Sequence, residues 1–92
     1  MLETTIRVTN TLGLHARAAA SLVRLAATFK SSSVTIRRND TNAEANAKDI
    51  LSVLSIAASK GVELHIIADG ADENEAIEQI TKLFTDKFGE TY

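Results

Sequence analysis

The spacing of apolar residues changes repeatedly between the alternation of a β-strand and the 3.6-residue period of an α-helix along this chain. At 92 residues, the chain has material for one modest hydrophobic core, so we expect residues 1–92 to form a single domain. The patterns predict strands over 4–9, 33–38, 43–46 and 63–69, helices over 16–30 and 47–59, and a last helix that opens at Asp72. The predicted class is therefore α+β, a βαββαβα two-layer sandwich with one sheet face covered by three helices and the other open.

The predicted core consists of the apolar residues on the inward-facing side of each predicted strand and helix. It comprises Ile6, Val8, Ala19, Leu22, Val23, Ala26, Phe29, Val34, Ile36, Leu64, Ile66, Ala68, Ile77, Ile80, Phe84 and Phe88. His65 falls in the outward set of its strand and is expected on the solvent face. Gly61 is expected to end the second helix in a left-handed conformation.

Composition excludes several classes of function. The absence of cysteine excludes disulfides, thiolate catalysis and zinc fingers. A net charge of −2 argues against broad nucleic-acid binding. The sequence has no signal-peptide pattern and no apolar run near the roughly 18 residues that span a membrane, so we expect a cytoplasmic protein that does not insert into membranes. No cluster of metal-ligating residues is apparent, and neither a metal nor a cofactor is predicted.

The segment Gly-Leu-His-Ala-Arg, residues 13–17, carries the functional signal. His15 occupies the position where Ser, Thr, Asp or Asn usually caps a helix. The N–H groups of Ala16, Arg17 and Ala18 then stay free, and with the helix dipole they favour an oxyanion such as phosphate. The same field disfavours an imidazolium, so we expect a neutral, nucleophilic His15. Because Arg17 adds a fork-shaped donor, the segment indicates a histidine that accepts and holds a phosphoryl group.

The second predicted helix is apolar over too wide an arc to be buried on one sheet. Its apolar positions span roughly 220°, against about 100° for a helix that covers a sheet. Val53, Ile56 and Ala57 group on one side, and Ile50, Leu51, Leu54 and Ala58 on the other. We expect Ile50, Leu51 and Leu54 to form an exposed docking patch, unless the end loops cover them.

The chain resembles the histidine-containing phosphocarrier (HPr) family of the bacterial phosphotransferase system over nearly its whole length. The resemblance rests on Gly-Leu-His-Ala-Arg, on Ser-Lys-Gly at 59–61 and on the acidic start of the last helix. It implies an antiparallel sheet of order 1-4-2-3 and a phosphoryl group that enzyme I places on Nδ1 of His15 and an EIIA-type domain removes. Arg17 would contact the phosphate. The predicted partner-binding residues are Arg17, Ala20, Arg24, Lys48, Asp49, Ile50, Leu51 and Leu54.

Other functions remain open from sequence. Residues 39–46 are similar to the nitrogen-branch version of the family, NPr, which favours regulation over sugar uptake. A phosphatase of similar small fold would need a residue that positions water, and none is securely placed beside His15. A pure interaction module would have no use for His15 and Arg17. A monomer is expected.

Two residues depart from the usual pattern of the family. Ala18 stands where proline is usual, which preserves the helix and loosens the turn around the phosphate. Asp49 aligns with a serine that a regulatory kinase phosphorylates in many members, so that control is expected to be missing. Asp49 is either an acid in the first turn of a helix capped by Asn46 or a permanent mimic of phosphoserine.

Overall fold

The computed structural model describes residues 1–91 and has the predicted βαββαβα order. Its elements are β1 (Leu2–Arg7), α1 (Ala16–Ala27), β2 (Ser32–Arg38), β3 (Glu44–Asn46), α2 (Ile50–Ser55), β4 (Glu63–Gly70), α3 (Glu73–Thr85) and a final left-handed turn (Lys87–Gly89).

The strands form an antiparallel sheet in the order β1-β4-β2-β3, which confirms the topology that the resemblance implied. In the centre of the sheet, Ile36 of β2 lies opposite both Ile66 of β4 and Ala45 of β3. These positions share one sheet face because side chains alternate between the two faces of a strand. All three are buried, so this face is the inner one.

The core lies between this inner face and the helices. Its largest fully buried apolar side chains are Val8, Leu22, Val34, Ile36, Val53, Leu64, Ile66 and Ile80. On the other face, His65 lies between Glu3 and Thr5: its Nε2 is 2.5 Å from Glu3 Oε1 and its Nδ1 is 3.1 Å from Thr5 Oγ1. His65 thus belongs to the outer face, as predicted.

The ends of two elements differ from the predictions. β1 begins two residues before the predicted start and ends at Arg7, although Val8 is buried and its N–H still bonds Val62 O at 2.9 Å. α1 ends at Ala27, not near residue 30. There the hydroxyl and the N–H of Thr28 both donate to Leu25 O, at 2.6 and 3.0 Å, which tightens the last turn and ends the helix.

α2 is much shorter than the predicted span of 47–59. Its cap is Asp49, whose Oδ1 accepts from the N–H groups of Leu51 and Ser52 at 3.1 and 3.4 Å. Asn46, the expected cap, instead accepts from Lys48 N at 3.0 Å in a separate turn. The first prediction for Asp49, an acid within a longer helix, is therefore wrong in its position: Asp49 is the cap itself.

The end of α2 was also misplaced. Ala57 adopts a left-handed φ of 50° directly after the C-cap Ile56 and ends the helix. Gly61 does have a left-handed φ of 92°, but it lies in a later turn that leads into β4. As a result Ala57 is exposed and Ala58 is buried, the reverse of the grouping that a continuous helix predicted.

α3 ends at Thr85, and Phe88 follows it in the final left-handed turn. Ile80 and Phe84 are buried as predicted, whereas Ile77 and Phe88 are half-buried. The ring of Phe88 packs edge-on against Phe84, with ring centroids 4.9 Å apart. Asp72 precedes the helix as predicted, but its carboxylate accepts from the Ser32 hydroxyl and so ties α3 to β2.

Candidate functional site

His15 is the N-cap of α1, as the sequence predicted. Its backbone is extended, with φ −73° and ψ 178°, and its carbonyl accepts the Ala19 N–H at 2.8 Å. The N–H groups of Ala16, Arg17 and Ala18 therefore precede the first helical hydrogen bond. Within residues 1–91, no side chain caps these groups. The first turn of α1 thus offers backbone donors to an anion.

The loop before His15 is clamped against the segment that follows α2. Leu14 is buried, and its N–H donates to Ala58 O at 2.8 Å. Gly13 has a left-handed φ of 63°, and a Cβ at this position would lie 2.5 Å from the same Ala58 oxygen. Gly13 therefore permits a close approach that fixes the start of α1.

The imidazole of His15 contacts a carboxylate from the far end of the chain. His15 Nε2 lies 2.7 Å from Glu90 Oε2. Glu90 Oε1 accepts from Asn10 Nδ2 at 3.0 Å, and the same Asn10 amide donates to Gly13 O at 2.9 Å. The His15 side chain is 23% exposed and that of Glu90 only 5%. One edge of the ring is therefore held inside the protein.

The electrostatics of this cluster keep Glu90 ionised. The hydrogen bond from His15 is the largest influence that holds the pKa of the Glu90 carboxyl below its usual range. The Asn10 amide and the charge of Arg17 act in the same direction, against the effect of burial. A carboxylate accepts hydrogen bonds and cannot donate them, so the proton in the His15–Glu90 contact lies on Nε2. In a neutral ring, Nδ1 then carries the free lone pair.

Sequence reasoning missed both partners of this cluster. Glu90 is 75 residues from His15 along the chain, and no periodic pattern connects them. Asn10 is 1% exposed, and a buried asparagine in a loop has no sequence signature. The available signal was that Glu90 directly follows Gly89, which marks a turn after the last helical pattern.

The other residues predicted to surround His15 lie on α1. Ala16 and Arg17 are exposed in its first turn, whereas Ala18 is buried. Further along the helix, Ala20 is half-buried and Arg24 is exposed, with Arg24 Nη2 3.3 Å from Ser21 Oγ. α1 thus presents two guanidinium groups to solvent.

The predicted apolar patch on α2 is smaller than expected. Leu51 is 76% exposed and Ile50 38%, but Leu54 is half-buried and packs against the core. Leu54 lies inside α2, one residue before its end, and its contact with the core removes it from the exposed patch. Leu12, in the loop before His15, is 53% exposed and was not predicted.

Two residues of the predicted docking surface hold the protein's own backbone. The Lys48 ammonium donates to Phe29 O and Ser32 O at 2.8 and 2.5 Å. The Asp49 carboxylate caps α2. Both groups therefore have intramolecular partners.

Over residues 1–91, no group of three or more His, Cys, Asp or Glu side chains is arranged to hold a metal ion. In the same part of the chain, every helix is too short or too polar to cross a membrane.

Comparison with known proteins connects this geometry to a family. The protein-family model described as "PTS HPr component phosphorylation site" matches residues 2–86. The chain belongs to the HPr family. HPr proteins are phosphocarriers of the phosphotransferase system, so the chain is a carrier and not an enzyme such as a phosphatase.

Individual relatives agree with this assignment. The phosphocarrier protein HPr of Xylella fastidiosa strain Temecula1 is 41% identical over 90 residues, 98% of each chain. The phosphocarrier protein NPr of Escherichia coli K12 is 34% identical over 89 residues, 97% of each chain. The crystal structure of "HPr-C-His" from Thermoanaerobacter tengcongensis is 40% identical and covers 100% of both chains, with a TM-score of 0.93.

Proposed function

We propose that this HPr-family chain carries the phosphoryl group on Nδ1 of His15, receives it from phosphorylated enzyme I and passes it to an EIIA-type domain. The observation that carries the proposal is the environment of the His15 ring. Its Nε2 edge is bound to Glu90, while the residue caps a helix whose first N–H groups are free for an anion. Nδ1 is then the nitrogen left to act as nucleophile.

The phosphoryl oxygens would be held by α1. The N–H groups of Ala16, Arg17 and Ala18 lie at the positive end of the helix dipole, next to His15. The exposed guanidinium of Arg17 can add a charged, bidentate contact. These donors can bind the oxygens of a phosphoryl group. None of them is a base that would activate water to hydrolyse it.

Partner domains would dock on an apolar and basic surface beside His15. We assign its apolar part to Leu12, Ile50 and Leu51, which are exposed, and its basic part to Arg17 and Arg24. Exposed apolar residues in a small domain are typical of a binding site. Ala20 and Leu54 are half-buried and would contribute at the edge. Lys48 and Asp49 would support the surface indirectly, because Lys48 binds the Phe29 carbonyl and Asp49 caps α2.

We infer that the chain works as one domain and as a monomer in the cytoplasm, where phosphoenolpyruvate charges enzyme I. General phosphotransfer is supported by the HPr relatives, and the regulatory nitrogen branch is the second candidate because an NPr also matches. Transfer rates to a sugar-type and a nitrogen-type EIIA, measured side by side, decide between the branches.

The central test is phosphorylation by enzyme I and phosphoenolpyruvate, followed by mass spectrometry. The wild-type chain should gain one phosphate, and His15→Ala should gain none. His65→Ala is the matched control because His65 is the second histidine of the sequence and lies on the outer sheet face. Labelling of His15→Ala, or loss of labelling in His65→Ala with His15 intact, would contradict the assignment.

A further inference from the structure

The C-terminal segment is built to bring one carboxylate to His15. After α3 the chain runs through three residues with left-handed φ values, Lys87 at 54°, Phe88 at 57° and Gly89 at 79°. Residues other than glycine rarely adopt this conformation, so the surrounding packing must hold it. The ring of Phe88 against Phe84 and the bond from Glu90 N to Lys87 O, at 2.9 Å, do so.

The carboxylate delivered by this turn is fixed at both oxygens. Glu90 Oε2 faces His15 Nε2, and Oε1 faces the buried Asn10 amide. Asn10 is itself held by Gly13 O, in the loop that leads to His15. The cluster therefore connects the C-terminal segment, the loop and the imidazole in one partly buried polar network.

We propose that Glu90 is a positioning residue for phosphoryl transfer: it holds the proton on Nε2 of His15, leaves Nδ1 as the nucleophile, and stabilises the positive charge that the ring acquires on phosphorylation. This inference rests on the proposed function of His15. The residue acts through His15 and does not touch the phosphoryl group.

The transfer step balances without another reagent. The Nδ1 lone pair attacks the phosphorus of the phosphohistidine of enzyme I, and a new N–P bond forms. The donor's N–P bond breaks, and its electron pair returns to the donor ring. Nε2 of His15 keeps its proton throughout, so the phosphorylated ring carries a positive charge that faces the Glu90 carboxylate at hydrogen-bond distance.

Glu90→Gln separates this role from simple packing. Glutamine has nearly the same shape, but it offers one acceptor and one donor where the His15 ring and the Asn10 amide both donate. We expect phosphorylation by enzyme I to slow roughly 10-fold, the lower end of the loss that follows when the partner orienting a metal-bound histidine is removed. Glu78→Gln, an exposed acid on α3, is the matched control for the change of charge and should keep the wild-type rate.

Nitrogen NMR of the ¹⁵N-labelled His15 ring supplies a readout that packing alone would not move. In the unphosphorylated wild-type protein, the neutral ring should be in the Nε2–H form, and Glu90→Gln should increase the Nδ1–H form. A wild-type rate together with an unchanged ring in Glu90→Gln would overturn the inference while leaving the phosphoacceptor in place. Faster phosphorylation of Glu90→Gln would overturn it too, because Glu90 would then act as an inhibitor. Failure of the wild-type chain to be phosphorylated would instead contradict the proposed function.

Discussion

Ala18 tests the physical account of the phosphate site at the scale of one residue. Because the first helical hydrogen bond runs from Ala19 N to His15 O, the Ala18 N–H has no acceptor within the helix. Ala18→Pro should therefore be tolerated and should raise the free energy of unfolding by about 0.4–1 kcal/mol, through the lower entropy of the unfolded chain. Urea melts of the variant and the wild-type protein measure the difference.

Ala20→Pro is the control for this substitution, since position 20 lies inside α1. There proline removes a helical hydrogen bond, and the variant should lose about 3 kcal/mol or more. A similar loss in Ala18→Pro would contradict the placement of the helix start at His15.

Single residues also mark the limit of what sequence predicts about the site. His15 could be identified because a histidine in a capping position next to Arg17 is a local pattern, and the backbone follows it. Glu90 and Asn10 could not, because their contacts arise only when the chain end folds back over the first loop. The residues that hold the proton on Nε2 of His15 therefore act through long-range contacts, which local periodicity does not predict.

At the scale of the element, substitutions in α2 distinguish residues that contact partners from residues that stabilise the fold. Leu51→Glu should leave the free energy of unfolding within about 0.5 kcal/mol of wild type, because Leu51 is 76% exposed. It should nevertheless slow phosphoryl transfer by weakening the contact with partners. Val53→Glu should lose several kcal/mol, because it buries an unpaired carboxylate. Thermal melts combined with transfer rates measure both effects.

Leu54→Glu should fall between these variants in stability, because Leu54 is half-buried against the core. Equal melting temperatures for Leu51→Glu and Val53→Glu would mean that the faces of α2 are assigned wrongly. The faces near its centre followed from helical spacing, but its length did not, since the Asp49 cap and the left-handed Ala57 cut the apolar pattern at both ends. The spacing of apolar residues does not show where such local hydrogen bonds are more favourable than continuing the helix.

At the scale of the whole molecule, the order of elements and the inner sheet face were predictable because alternation and helical spacing follow directly from burial. The strand order came from the resemblance, since antiparallel strands of similar pattern can pair in more than one order. The last turn, with three successive left-handed residues, is where the molecule departs most from regular structure. This turn also brings Glu90 to His15. The free energy of unfolding should therefore depend on whether the Glu90 carboxyl is ionised.

That coupling predicts how the stability of the fold depends on pH. The pKa of Glu90 is lowered in the folded protein, chiefly by the hydrogen bond from His15. Its stabilising contribution is therefore fully present above the unfolded value of about 4.3 and is lost as the pH falls through the lower folded value. Glu90→Gln should unfold at lower urea concentration than wild type at neutral pH. Below about pH 4 the difference should shrink, because protonated Glu90, like glutamine, presents one donor and one acceptor. Urea melts at a series of pH values measure it, with Glu78→Gln as the exposed control. A difference that stays constant down to acidic pH would mean that Glu90 stabilises the fold by packing and not by its charge.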